Sequence, residues 1–286
     1  QKQKPIVAFL GPNATYTHQA SLNLFPTETH TLTPVPTIED VFTSIQSNTA
    51  TYGVVPFENS SNGSVVFTLD LFADRDSKHP DILVCGETYV RVQHCLVGHA
   101  RSNPPSQPPS QAPSQHPNPG TTDELPDLTH LTKLYSHPQA WGQCTRFLSS
   151  HLRGLERQDV SSTSKAAELV ARDPSRTSAA ISSALSAQQH GLQVLVRGIE
   201  DRSDNTTRFL VIRRKDTAPK HVGGSNTIHD DSGELTPKDA AEYHKDYKTL
   251  ISFTLPHSDP GALAECLLVF KRRGLSLTSI NTRPSG

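Results

Sequence analysis

The sequence predicts an α/β protein with a largely parallel sheet, followed by a linker and a smaller second module. Short apolar runs alternate with amphipathic helical stretches along most of the 286 residues. Two blocks, near residues 101 and 215, lose that pattern and turn polar, rich in Pro, Ser, Gln or Gly. The apolar fraction of 34% is low for one compact core, so part of the chain must be linker.

Ile6 to Leu10 is an apolar run closed by Gly11-Pro12, read as a buried strand and turn, and "ATYTHQASLNLF" after it is helical. In "TIEDVFTSIQS", Thr37 and Asp40 form a capping box and Ile38, Val41, Phe42 and Ile45 share a helical face. The strand "YGVVPF" follows. Residues 82 to 98 are rich in β-formers over a length that suits one long strand crossing between two lobes. Then "RSNPPSQPPSQAPSQHPNPG" cannot build a core and is expected to be a disordered surface insert. The pattern resumes with "KLYSH", a helix "PQAWGQCTRFLSSHL", then "SSTSKAAELVA" and "AAISSALSAQQHGL", and strands "QVLVRGI" and "TRFLVIRR". Residues 215 to 246 read as a linker. Beyond it, "YKTLISFTLP" alternates like a strand, "DPGALAECLLVFKRRG" has Asp259 as N-cap and Gly274 as C-cap, and "LSLTSINT" is a second strand. This βαβ cannot cover its own sheet, so the second domain is expected to be cut short. No Met occurs, so the initiator at least is expected to be missing.

A formal charge of -1 with no basic run excludes an electrostatic footprint for nucleic acid or membrane, and points to a small-molecule partner. Cys85, Cys95, Cys144 and Cys266 lack CxxC spacing and read as reduced cytosolic thiols, and no stretch is long enough to span a bilayer. With no signal-peptide pattern, the expected location is cytoplasmic, and the four Asn-x-Ser/Thr sequons read as polar-loop chance. Phosphate-loop, dinucleotide and serine-hydrolase motifs are absent, and the 14 histidines give no metal spacing, so no metal is expected.

Polar clusters recur at strand ends, where an α/β crevice forms: residues 11–19, 56–64, 135–141 and 203–209, with a fifth at 159–167. Turn and cap chemistry explains their small residues. It does not explain Glu58, Asn59, Gln139 and Arg208, which are larger and costlier to bury.

At this point the chain resembles the prephenate dehydratase family. "GPNATYTHQA", "GVVPFENSSNGSV", "SHPQAWGQC", "STSKAA", "AAISS", "GL" and "NTTRFLVI" stand in that family's order and near its spacing, and the tail from Tyr247 resembles the start of an ACT domain. The resemblance implies a two-lobed, type II periplasmic-binding-protein-like catalytic domain over 5–214, plus a partial, ferredoxin-like βαβ ACT domain over 247–286. Lobe 1 is expected at about 5–85 and 192–214, lobe 2 at about 86–191, with the insert at about 101–127 and the linker at 215–246. It implies decarboxylative dehydration of prephenate to phenylpyruvate in phenylalanine biosynthesis. Aromatisation supplies the drive, so the resemblance implies no cofactor, in agreement with the absent motifs, and the protein need only hold the substrate, exclude water and assist the departing hydroxyl.

By the family's pattern Thr207 is the essential residue, read as a hydrogen-bond donor to the leaving oxygen. Glu58 is the alternative acid, or else a loop brace. Asn59, Ser60 and Gln139 match active-site positions, with loop stapling as their bland reading. Thr15, near a helix N-terminus, Ser162 in the fifth cluster, and Ser136, Asn205 and Phe209 complete the expected substrate contacts. Arg208 reaches a substrate carboxylate only if the strand is still irregular there. Ala14 stands where the family usually has Gly. The family's ACT module binds phenylalanine as inhibitor, which implies Gly261, Ala262, Leu263, Arg283 and Pro284 as effector contacts, although Asn281 and Thr282 replace the Glu and Ser of its ESRP motif. A homodimer or homotetramer is implied. Two alternatives stay open, a dehydratase of arogenate and a non-catalytic small-anion binder of the same fold.

Overall fold

The computed structural model describes residues 3–100, 125–217, 248–256 and 258–284. Most of the Pro/Ser/Gln insert and of the linker therefore lies outside the described residues. The chain divides into two compact units, the first made of residues 1–10, 20–89 and 207–286, the second of 11–19 and 90–206.

The first unit is built on β1 (Ile6–Leu10), β2 (Thr31–Val35), α2 (Ile38–Gln46), β3 (Tyr52–Asn59), β4 (Gly63–Ser64), α3 (Val66–Ala73), most of β5 (Ile82–Arg91) and β11 (Thr206–Arg214). Helix α1 (Tyr16–Leu24) begins in the second unit and ends in the first. The sheet runs β2-β1-β3-β11-β5, with β4 paired to β3. Strand β1 is parallel to both β2 and β3, and β11 returns antiparallel to β3. Pro34 fits β2 because an edge strand has one unpaired side. The capping box forms as expected: Asp40 N–H donates to Thr37 Oγ1 at 3.0 Å and Thr37 N–H donates to Asp40 Oδ2 at 3.0 Å. It starts α2 where Val41, Phe42 and Ile45 all turn into the core. Gly53 allows the helix to sit close, since a Cβ there would lie 2.7 Å from Val41 Cγ1 and 2.8 Å from Ile212 Cγ1.

The second unit holds β6 (Cys95–Gly98), β7 (Lys133–Ser136), α4 (Pro138–Gln143), α5 (Thr145–His151), β8 (Glu156–Asp159), α6 (Thr163–Ala171), β9 (Ser178–Ser182), α7 (Ala184–Gln189) and β10 (Gln193–Arg197). Its sheet runs β10-β6-β9-β7-β8. Strand β7 is parallel to β8 and β9, whereas β6 is antiparallel to β9 and β10.

The α/β class holds, and several details differ from expectation. The run 82–98 is two strands in two sheets, because the chain leaves extended pairing at residues 92–94. The helix expected from Pro138 breaks at Cys144, whose φ of -126° is not helical, so α4 and α5 are separate. Residues 192–206 belong with the second unit rather than with lobe 1, β10 pairing there with β6. Residues 11–19 also belong to the second unit.

In the C-terminal segment, α8 (Ala262–Arg272) forms, but residues 248–256 and 275–284 make no strand. A pair of short strands with one helix offers too little burial to hold itself together: α8 has no fully buried side chain, and Leu250, Ile251, Phe253, Leu275, Leu277 and Ile280 are exposed. Asp259 is not the N-cap. Gly261 takes that place with φ 99°, and the Asp259 carbonyl accepts the Ala262 N–H at 3.3 Å. The helix ends at Arg273 as C-cap, with Gly274 just beyond it at φ 67°.

Candidate active site

Of the expected catalytic residues, Thr207, Asn59 and Glu58 lie in the first unit, with Ser60, Arg208 and Phe209; Gln139 lies in the second, with Thr15, Ser136, Ser162 and Asn205.

In the first unit, antiparallel pairing sets Thr207 opposite Asn59 and Arg208 opposite Glu58. The two polar ends meet because the apolar cores of β3 and β11 fix the register behind them. Asn59 Nδ2 donates to Thr207 Oγ1 at 2.9 Å. Its Oδ1 accepts the backbone N–H groups of Ser61 and Asn62, each at 2.9 Å. Those two donors decide the amide orientation, since the oxygen must face them and the nitrogen must face Thr207. Asn59 thus staples its loop and also addresses the threonine. An N–H entering one lone pair of Oγ1 leaves the Thr207 proton to be donated elsewhere.

Arg208 sits at an irregularity. The register slips between Arg208 and Phe209, skipping Phe57 on the facing strand. The irregularity that would free Arg208 for substrate is present, yet its guanidinium is already matched. Nε donates to Glu87 Oε2 at 2.7 Å, Nη1 lies 3.3 Å from Glu58 Oε1, and the group lies 5.3 Å from the Phe57 ring centre. With its side chain only 14% exposed, Arg208 is a structural brace in this arrangement, and Glu58 is one of its partners. Burial raises the Glu87 carboxyl, but hydrogen bonds from Lys248 and Arg208 and their charges outweigh it and hold it below the usual carboxylate range. Phe209, expected to touch substrate, is 1% exposed and supports the strand from the core. Ser60 is exposed at the turn after β3.

The second unit gathers Thr15 and Ser162. Thr15 Oγ1 accepts the His18 N–H at 3.2 Å, capping the start of α1, and Ser162 Oγ caps α6 by accepting the Lys165 N–H at 3.0 Å. Ser164 Oγ donates to the Asn13 carbonyl at 2.6 Å and Ser183 Oγ to the Ala14 carbonyl at 3.4 Å, stitching the 11–15 turn to the starts of α6 and α7. Ala14 holds φ 62°, the left-handed conformation glycine adopts freely, at a cost of roughly 1–2 kcal/mol. Gln139 is exposed on the first turn of α4, its N–H donating to His137 Nδ1 at 3.3 Å. Ser136 departs from expectation. It is fully buried and donates to the Ile181 carbonyl at 3.0 Å, so its hydroxyl is spent inside the sheet. Asn205 is 3% exposed, and its carbonyl accepts the Val92 N–H at 2.8 Å.

Sequence reasoning passed over Glu87, Lys248, Tyr16, His94 and Gln143. A lone Glu in the β-rich run "GETYV" was the signal for Glu87, because a half-buried charge demands a partner. His94, 2% exposed, places Nε2 2.7 Å from Gln143 Oε1 and Nδ1 3.5 Å from the Tyr16 hydroxyl, which donates to the Gln93 carbonyl. Burial lowers the His94 pKa and raises that of Tyr16, so both favour their neutral forms. Burial also pushes the Cys95 and Cys144 thiols up, away from the thiolate a nucleophile needs. Among the described residues, no group of three His, Cys, Asp or Glu is placed to hold a metal ion, and no helix is long and apolar enough to cross a membrane.

Of the expected effector contacts, Arg283 is taken by Asp70 through Nε at 2.5 Å and Nη2 at 2.9 Å. Gly261 and Ala262 start α8, and Leu263 is exposed.

Together these features define a two-unit α/β protein that presents hydroxyl and carboxamide groups on strand ends in its first unit and at helix starts in its second. A model of the family described as prephenate dehydratase matches residues 7–217. The chain belongs to the prephenate dehydratase family. A bifunctional chorismate mutase/prephenate dehydratase of Aquifex aeolicus is 34% identical over 284 residues, covering 99% of this chain. This chain spans 62% of that protein's length. A prephenate dehydratase of Methanocaldococcus jannaschii is 32% identical over 248 residues, 87% of this chain and 70% of its own. Among solved structures, a prephenate dehydratase from Arthrobacter aurescens in complex with L-Phe superposes with a TM-score of 0.67 at 25% identity, covering 98% of this chain and 76% of that one.

Proposed function

We propose that this chain converts prephenate to phenylpyruvate. The observation that carries the reading is the Asn59–Thr207 contact, in which a fixed amide turns the threonine hydroxyl into a donor. In the reaction, the bond from the ring to the departing carboxylate breaks and its electron pair enters the ring. The ring aromatises as the C–O bond on the far side breaks. Carbon dioxide leaves, and the hydroxide, stabilised by the Thr207 O–H, takes a proton supplied by solvent to become water. Gln139, Thr15 and Ser162 are proposed to bind the substrate's carboxylates or keto oxygen through amide, hydroxyl and helix-start N–H donors. Phenylalanine is proposed as an inhibitor, supported by the L-Phe complex of the Arthrobacter protein.

The test is side-by-side incubation with prephenate and arogenate, following phenylpyruvate and phenylalanine formation. Faster turnover of prephenate supports the proposal, and preferential turnover of arogenate moves the chain to the aminated substrate. Binding of prephenate without product leaves only the binding-protein reading.

A further inference from the structure

We propose that Glu87 is a positioning residue for the reaction at Thr207, joining Lys248 to the catalytic strand through one carboxylate. This rests on the role given to Thr207 above. Arg208 follows Thr207 directly in the chain and gives its Nε–H to Glu87 Oε2 at 2.7 Å. The other carboxylate oxygen, Oε1, accepts from Lys248 Nζ at 2.8 Å, and Lys248 also donates to the Tyr89 hydroxyl at 2.8 Å. Each oxygen serves one cation, so the two ion pairs coexist and form a bridge rather than a competition.

A second C-terminal residue meets the opposite side of the catalytic frame. Strand β4 pairs Ser64 with Glu58 and Gly63 with Asn59. Ser64 Oγ donates to Asn281 Oδ1 at 2.9 Å, while Arg283 clamps Asp70 on α3. Two C-terminal residues thus bear on the pair Asn59–Thr207, Lys248 through Glu87 and Arg208, and Asn281 through β4.

A largely buried guanidinium cannot be left unpaired. When Glu87 loses its charge, Arg208 turns toward Glu58 and moves the backbone beside Thr207. When only Lys248 is lost, Arg208 stays paired and Glu87 Oε1 keeps only the longer contact from the Tyr89 hydroxyl at 3.4 Å, a smaller displacement of the same strand.

The experiment compares Glu87→Gln, Lys248→Ala, Lys248→Arg and the Glu87→Gln/Lys248→Ala double variant in the whole chain. It reads prephenate turnover, melting temperature, and amide hydrogen exchange over residues 205–214. Glu87→Gln is expected to lower kcat roughly tenfold with KM little changed. Lys248→Ala lowers kcat less, Lys248→Arg restores it, and the double variant is no worse than Glu87→Gln. Exchange over 205–214 quickens in the same order while the melting temperature of Lys248→Ala stays at the wild-type value. Wild-type kcat and wild-type exchange in Lys248→Ala overturn the coupling, as does a double variant whose losses multiply. A wild-type chain that makes no phenylpyruvate overturns the proposed function instead, and the exchange measurement then decides the coupling alone.

Discussion

Replacing Asn59 with Asp tests the orientation of the Thr207 hydroxyl with the smallest change of shape. Aspartate keeps the oxygen that accepts from Ser61 and Asn62, so the loop retains its staples. At the other position an acceptor replaces the amide nitrogen 2.9 Å from Thr207 Oγ1, and the threonine proton turns inward to meet it. A hydrogen bond to a charged acceptor is worth about 1.5–3 kcal/mol, which must be given up before that proton serves a leaving oxygen. The loss converts to a fall in kcat of roughly 10- to 150-fold. Repulsion between the new carboxylate and a dianionic substrate adds to KM, so the two parameters are read separately. The assay is steady-state phenylpyruvate formation by the wild type, Asn59→Asp, Thr207→Ala and the double variant. If both residues act through one hydroxyl, the double variant is no slower than Thr207→Ala. Wild-type kcat in Asn59→Asp, or multiplied losses in the double variant, refutes the reasoning.

Further outcomes follow from residues with structural roles. Ser136→Ala removes a buried bond to the Ile181 carbonyl and is expected to cost about 1 kcal/mol in urea unfolding, with KM for prephenate unchanged. A raised KM at unchanged stability restores Ser136 as a substrate contact. Burial raises the Asp173 carboxyl, but hydrogen bonds from Ser175 and Ser178 outweigh it and bring its pKa to about 2. The unfolded value is about 3.9, so the folded pKa is depressed, and its stabilisation is complete above that value and lost as pH falls through about 2. The urea midpoint of Asp173→Asn is therefore expected below wild type at about pH 6, with the gap closing toward about pH 2. A gap independent of pH contradicts that assignment.

The parts of the fold that could be read from the sequence are those where one local signal and the tertiary contacts agree. The run 6–10, the Thr37–Asp40 box and the apolar half of "TRFLVIRR" each announce an element whose buried face matches the structure. Strand β8 could not be read that way, because all four residues of "ERQD" are exposed and only pairing with β7 makes them a strand. The break at Cys144 and the sheet change at 92–94 likewise come from tertiary contacts rather than from local propensity. Within the site, the Thr207–Asn59 contact was foreshadowed by two polar clusters at strand ends. The commitment of Arg208 to Glu87 was not, since it depends on a residue 121 positions away. The burial of Ser136 and Phe209 was not legible either, because a motif marks a neighbourhood and not which face a side chain takes.

The most direct measurement is phenylpyruvate formation from prephenate by the wild-type chain and by Thr207→Ala, under single-turnover conditions with substrate saturating. The wild type is expected to convert prephenate, and removing the hydroxyl to lower the rate by about 10²–10⁴. A Thr207→Ala chain that turns prephenate over at the wild-type rate contradicts that role of the hydroxyl.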